Sequence, residues 1–177
     1  MKMGSGGSMA LTAAASAAAV VKLNVVSGDR DPIDLPVGAT ALHESDFSSS
    51  TDGWIEFGQG DLTSGETSPN GMTNCIKYAS YPGSGGRAVF LYAANYDNPA
   101  PPPTTVFNYR YDMESTTTVI TGLTGQDENL VVTAGDTVTI QSTKEYTEPA
   151  FITLGWDTVG GGAEGTVWIK NVQIWYT

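Results

Sequence analysis

In the run Val106–Asp112, VFNYRYD, aromatic and hydrogen-bonding side chains alternate strictly. Drawn as a strand, it sets Phe107, Tyr109 and Tyr111 on one face and Asn108 and Arg110 on the other. Aromatic rings stack on the C–H faces of sugars, while amide and guanidinium groups hydrogen-bond the hydroxyls. Tyr92 and Trp156 extend the candidate ligand-binding set to Tyr92, Asn108, Tyr109, Arg110, Tyr111 and Trp156. Both faces of one such strand cannot be core. The competing reading packs the aromatic face inside and leaves Asn108 and Arg110 solvated.

Catalysis has less to work with. Nucleophile–base systems want a Ser, Cys or Thr beside a His that a carboxylate orients. The only imidazole is His43, in LHESD, where it reads as an exposed linker residue. Paired carboxylates can hydrolyse glycosides without His, but Asp127/Glu128 and Glu145/Glu148 fall in loop-like stretches. The chain therefore reads as a non-enzyme. Asp29, Asp31 and Asp34 alternate like calcium ligands, yet Pro32 comes early and no Gly holds the sharp-turn position. A solvated acidic linker is the simpler reading. One Cys and one His exclude zinc fingers, iron–sulfur clusters and an intrachain disulfide framework. Cys75, in NCIKYA, reads as a small strand hydrophobe.

Charge removes two partner classes. Asp and Glu number 19 against 8 Lys and Arg, for a formal net charge of −11 in 177 residues. Nucleic acid and anionic membrane surfaces both need clustered basic residues.

These side chains must be positioned by strands. No stretch after residue 40 sustains a 3.6-residue apolar period. Short runs rich in Val, Ile, Thr and aromatics recur instead: 53–57, 74–79, 87–93, 105–112, 116–120, 129–133, 137–141, 151–156 and 166–176. Ala134–Gly135–Asp136 between two of them predicts a hairpin over Leu130–Gln141. In VWIKNVQIWY, Val167 and Ile169 keep one phase and Val172, Ile174 and Tyr176 the other. A bulge near Lys170–Asn171 would bring both sets inward and turn Trp168 and Trp175 outward. The fold expected is all-β, a jelly-roll sandwich.

Residues 1–40 differ from the rest. A Gly/Ala/Ser-rich stretch leads into a short strand at Val20–Val26 and then a Pro- and Gly-punctuated link. The apolar part is too short and too weakly apolar to span a bilayer. We expect an extended arm and linker over 1–40 and a sandwich domain over 41–177. Such an arm has little apolar surface to offset its ordering entropy, so an outside partner is expected to hold it.

Asp46–Trp54 (DFSSSTDGW), GGRAVFLYA, LVVTAGDTVTIQ and the terminal WIKNVQIWY follow one another in an order that resembles the jelly-roll carbohydrate-binding modules associated with glycoside hydrolases. The resemblance covers roughly residues 45–177. It implies non-catalytic glycan binding, a core position for Trp54, and a structural calcium to which Asp46 is a candidate ligand. Lys170 stands where that family often has Asp. Similar sandwiches also recur on virus particles and extracellular filaments. The combined expectation is an oligomeric, surface-displayed accessory subunit, most plausibly a phage virion decoration or fibre protein, whose sandwich binds polysaccharide. Its arm would dock on its own subunits or on a capsid or filament lattice, at a virion surface or in the extracellular space. The alternative is a free-standing or tethered carbohydrate-binding module or lectin with no assembly role.

Overall fold

The structure, a computed structural model, describes residues 21–25, 29–81, 87–99, 101, 105–123, 130–145, 151–158 and 165–177. Its strands are β1 (Val21–Val25), β2 (Thr40–Glu44), β3 (Trp54–Phe57), β4 (Gly60–Glu66), β5 (Cys75–Ser80) and β6 (Arg87–Tyr92), then β7 (Val106–Ser115), β8 (Val119–Leu123), β9 (Leu130–Val132), β10 (Thr137–Glu145), β11 (Phe151–Thr158) and β12 (Thr166–Tyr176). Sheet A runs β1-β10-β7-β12-β5-β4, with β2 also paired to β12, and sheet B runs β3-β6-β11-β8-β9. Every pairing is antiparallel. The expected jelly-roll sandwich is the fold observed.

Alternation builds the core between the sheets. Phe107, Tyr109, Tyr111 and Met113 on β7 face Val89 and Leu91 of β6 and Ile152, Leu154 and Trp156 of β11 in one cluster. β12 takes part through its bulge. Lys170 pairs with Asp112 and Gln173 with Arg110, so Asn171 and Val172 stand opposite Tyr111 alone, one extra residue is inserted, and Asn171 adopts φ 53°. Val167, Ile169, Val172 and Ile174 are then all buried in the core, as the phase break requires. Trp54 is 1% exposed, also as expected. Cys75 is fully buried, and burial pushes its thiol up to about 12.

Four expectations are corrected. Leu130–Gln141 is not a hairpin: β9 pairs with β8 in sheet B, whereas β10 pairs with β7 and β1 in sheet A. The Gly135 turn carries the chain from one sheet to the other, so Val132 and Val138 both reach the core. Two strands went unrecognised. β4, GDLTSGE, lacks an apolar run, and β2 starts at the boundary expected near residue 40. His43 is not an exposed linker residue but sits on β2 at 2% exposure. Finally, the stretch before residue 40 does not stand apart from the sandwich. β1 pairs with β10, and residues 29–33 bind the outer face of sheet A. Residues 1–20 lie outside the described residues.

Candidate functional site

Three regions could serve a ligand, and the six candidate residues are divided among them. Tyr109 and Tyr111 are each 1% exposed and stacked in the core, with ring centroids 6.2 Å apart. Tyr111 Oη lies 2.9 Å from Thr121 Oγ1. Trp156 is 5% exposed and meets Tyr78 edge to face at 5.3 Å. Rings enclosed between two sheets present no face to a sugar, so these three are corrected to core residues.

Asn108 and Arg110 point the other way, onto the outer face of sheet A, and Arg110 is not solvated. The link from β1 to β2 crosses this face and closes it. Arg110 donates to Gln173 Oε1 and to the Ile33 carbonyl, with its guanidinium 5.4 Å from the Trp175 ring centre. Arg30 pairs with Asp112 at 2.7 Å, Lys170 pairs with Asp29, and Asn171 Nδ2 donates to the Arg30 carbonyl at 3.0 Å. Burial pushes the Asp29 carboxyl up, but hydrogen bonds from Lys170 and Thr73 outweigh it and hold the group at about 2. Asp29 is thus docked, not part of a solvated linker. Trp168 and Trp175 do turn outward, but Trp168 packs with Met72 and Cys75 and Trp175 lies against Arg110, which leaves them 8% and 2% exposed.

Asp46, the candidate calcium ligand, makes a local contact. Asp46 Oδ1 accepts the Ser48 N–H at 3.1 Å, and among the described residues no three His, Cys, Asp or Glu side chains are placed to hold a metal. At Lys170 an ammonium supplies the positive charge instead.

Tyr92 belongs to the third region, the outer face of sheet B, and is 48% exposed. Directly opposed residues of an antiparallel pair share a face. Register therefore sets Ile55, Phe90 and Thr153 in one row, and Phe57, Ala88, Gly155 and Gly122 in the next. The third row holds Asp157, Ile120 and Val131. Two glycines and an alanine make the middle row a low floor across β6, β11 and β8. Phe57, 54% exposed, rises at one end of it, with its ring 4.9 Å from that of Phe90. From β3 to β8 the floor spans about 14 Å at the usual strand spacing. Thr153 Oγ1 beside it has no hydrogen-bond partner among the described residues. Phe57, Phe90, Thr153 and Asp157 were missed in the sequence. The available signal was that WIEF and RAVFLY carry large apolar residues in both phases, more than one core can absorb.

No protein-family model matches the chain, and no curated protein does. Solved structures do resemble it. A single-residue variant of a family 29 carbohydrate-binding module, complexed with cellulohexaose, superposes with a TM-score of 0.51 at 19% identity over 79% of this chain and 93% of that one. A family 4 module gives 0.46 at 18% identity, over 72% and 97%. The joined family 22 carbohydrate-binding and family 10 glycoside hydrolase modules of a Clostridium thermocellum xylanase, complexed with xylohexaose, give 0.49 at 14%, over 77% of this chain and 28% of that one. The fold assignment rests on the first of these. The chain has the jelly-roll fold of carbohydrate-binding modules. No helix among the described residues is long and apolar enough to cross a membrane.

Proposed function

We propose that the chain is a non-catalytic carbohydrate-binding domain, acting outside the cell, whose ligand lies across the outer face of sheet B. The observation that carries this reading is the Ala88–Gly155–Gly122 floor with the rings of Phe57 and Phe90 beside it and exposed Tyr92 one row beyond Phe90. A row without bulky side chains lets a flat, extended polysaccharide approach the backbone, and the rings offer stacking faces at its margin. Thr153 and Asp157 supply hydrogen-bonding groups for hydroxyls. The fold neighbour complexed with cellulohexaose supports an unbranched hexose chain as the first ligand to try. Calorimetry with cellohexaose, mannohexaose and xylohexaose tests the reading. Binding to at least one, lost in Phe57→Ala with Phe90→Ala, is the expected result. Failure of all three, or binding indifferent to those substitutions, removes the proposed face.

The assembly reading keeps one favouring observation. β1 is the edge strand of sheet A, and an edge strand offers unpaired backbone groups to another chain. On that reading residues 1–20 hold the sandwich to its own subunits or to a virion or filament lattice. Removing residues 1–20 alone, and not the β1–β2 link that covers sheet A, is the appropriate test. Light scattering should then report a smaller particle; an unchanged one counts against an assembly role.

A further inference from the structure

Four carboxylates surround one open cavity at the β2–β3 edge, and no Lys or Arg stands among its walls. The cavity, about 560 Å³, is lined by Glu44, Asp46, Asp52 and Asp97 together with His43 and Asn95. Several of these groups are already oriented. Asp97 accepts the Glu44 N–H at 2.8 Å, Asp46 the Ser48 N–H, and Asp52 the Ser50 hydroxyl, so each carboxylate keeps a second oxygen. Asp52 Oδ2 is buried with no partner among the described residues. Asp52 and Gly53 turn into β3 with φ of 48° and 81°, and a Cβ on Gly53 would come within 2.8 Å of Asn95 Cβ. The spread of the carboxylates suits a ligand several atoms across. A calcium ion needs its oxygens at 2.3–2.6 Å from one point, and no three of these groups converge so.

His43 adds the opposite polarity. Trp54 Nε1–H donates to Ser45 Oγ at 2.9 Å, and Ser45 Oγ lies 2.9 Å from His43 Nε2. An indole N–H can only donate, so Ser45 Oγ accepts it, and the Ser45 O–H is left to donate to Nε2. With that bond made, neutral His43 carries its proton on Nδ1, the side turned to the cavity. The residue is 2% exposed and Nδ1 has no hydrogen-bond partner among the described residues; Asp97 Oδ2 is 3.2 Å away but out of line. Burial holds His43 below its usual range against the pull of Asp97, Asp52 and Glu44, which keeps it neutral. Ser45, His43 and Asp97 look like a catalytic relay, but Ser45 Oγ is turned inward to Trp54 and is not a cavity wall.

The carboxylates thus want donors and positive charge, and His43 wants an acceptor. A hydroxyl beside an ammonium meets both. We propose that this cavity is a second saccharide site, selective for a protonated amino sugar. Its ammonium lies among Asp46, Asp52 and Asp97, and its neighbouring hydroxyl accepts from His43 Nδ1. Asp97, half exposed, moves aside to admit it. The site is separate from the sheet B face and does not depend on that face binding glycan.

Calorimetry on the full chain tests this with the glucosamine hexamer, its N-acetylated counterpart, cellohexaose, hexalysine and calcium chloride alone. The glucosamine hexamer should bind at least about tenfold tighter than the acetylated one. Asp52→Asn with Asp97→Asn should abolish that preference, while Phe57→Ala with Phe90→Ala should leave it intact. Asp46→Asn serves as the milder variant if circular dichroism shows the pair to be unfolded. Equal affinity for both hexamers overturns the proposal, as does a preference that survives the Asp substitutions. Hexalysine binding as tightly would assign the effect to net charge, and saturable calcium binding sensitive to Asp52 would make the cavity a metal site. Either result also overturns it. Cellohexaose reads the sheet B face independently.

Discussion

Sheets A and B each turn one face to the shared core and one outward, and their outward faces hold opposite chemistry. On sheet A, Arg110, Asp112, Glu114 and Lys170 are 9% exposed or less. On sheet B, Ile55, Phe57 and Tyr92 are 42–54% exposed. Hydrophobicity alone predicts the reverse. The path of the chain explains the inversion. β1 lies beyond β10 while β2 pairs with β12, so the link between them must cross β10, β7 and β12 on the outside. That link has its own backbone polar groups to satisfy, and charged and amide side chains beneath it are what satisfy them. Sheet A's outer face is therefore a structural interior, and sheet B's is left for a partner.

The sharpest way to break this contrast is at Asp112. It accepts from Arg30, Thr139 and Asn171 at once and is 4% exposed. Asp112→Ala leaves Arg30 of the link without its carboxylate and should cost about 3–5 kcal/mol in urea unfolding. Glycan affinity of the fraction still folded should not change. On sheet B the pattern inverts: Phe57→Ala with Phe90→Ala should weaken glycan binding by about tenfold or more. The exposed Phe57 side should contribute little, within about 0.5 kcal/mol, to any stability loss.

Two smaller effects follow from titration. His43 has its pKa lowered in the folded state, so below its ordinary value of 6.5 the unfolded chain binds the additional proton. Stability should be complete above that pH and fall as the solution is acidified through it. His43→Gln should flatten the slope between pH 5 and 7, and as the chain has one His the assignment is unambiguous. Asp29 is depressed from 3.8 to about 2, so its contribution is present above pH 4 and is lost as pH falls toward 2. Its side chain is 41% exposed, which makes this the weakest effect. Asp29→Asn should reduce the acid sensitivity slightly in a pH-dependent melting series, without touching glycan affinity.

Features set by neighbours in sequence were legible. The bulge at Asn171 follows from two apolar phases within one strand, and the burial of Trp54 and Cys75 from the runs around them. What depends on a distant partner was not. A three-residue Gly135 turn serves equally to fold a hairpin within one sheet or to cross between two, and only the partners of Val132 and Val138 decide. Arg110 looks solvated in VFNYRYD because the segment that covers it begins 77 residues earlier, at Ile33. The candidate site failed for the same reason: Tyr109 and Tyr111 look like a stacking platform until the opposing sheet is in place. Phe57 and Phe90 become a pair only through the β3–β6 register.

β12 holds the middle of sheet A, flanked by β7 on one side and by β5 and β2 on the other. It is also the last of these twelve strands to leave the ribosome. Until then β5 and β2 have no bridge to β7, and the aromatic interior has only part of its lid. Folding must therefore wait for the end of this segment, and a premature stop inside Thr166–Tyr176 yields not a shortened domain but an unclosed one, with its aromatic rings open to aggregation.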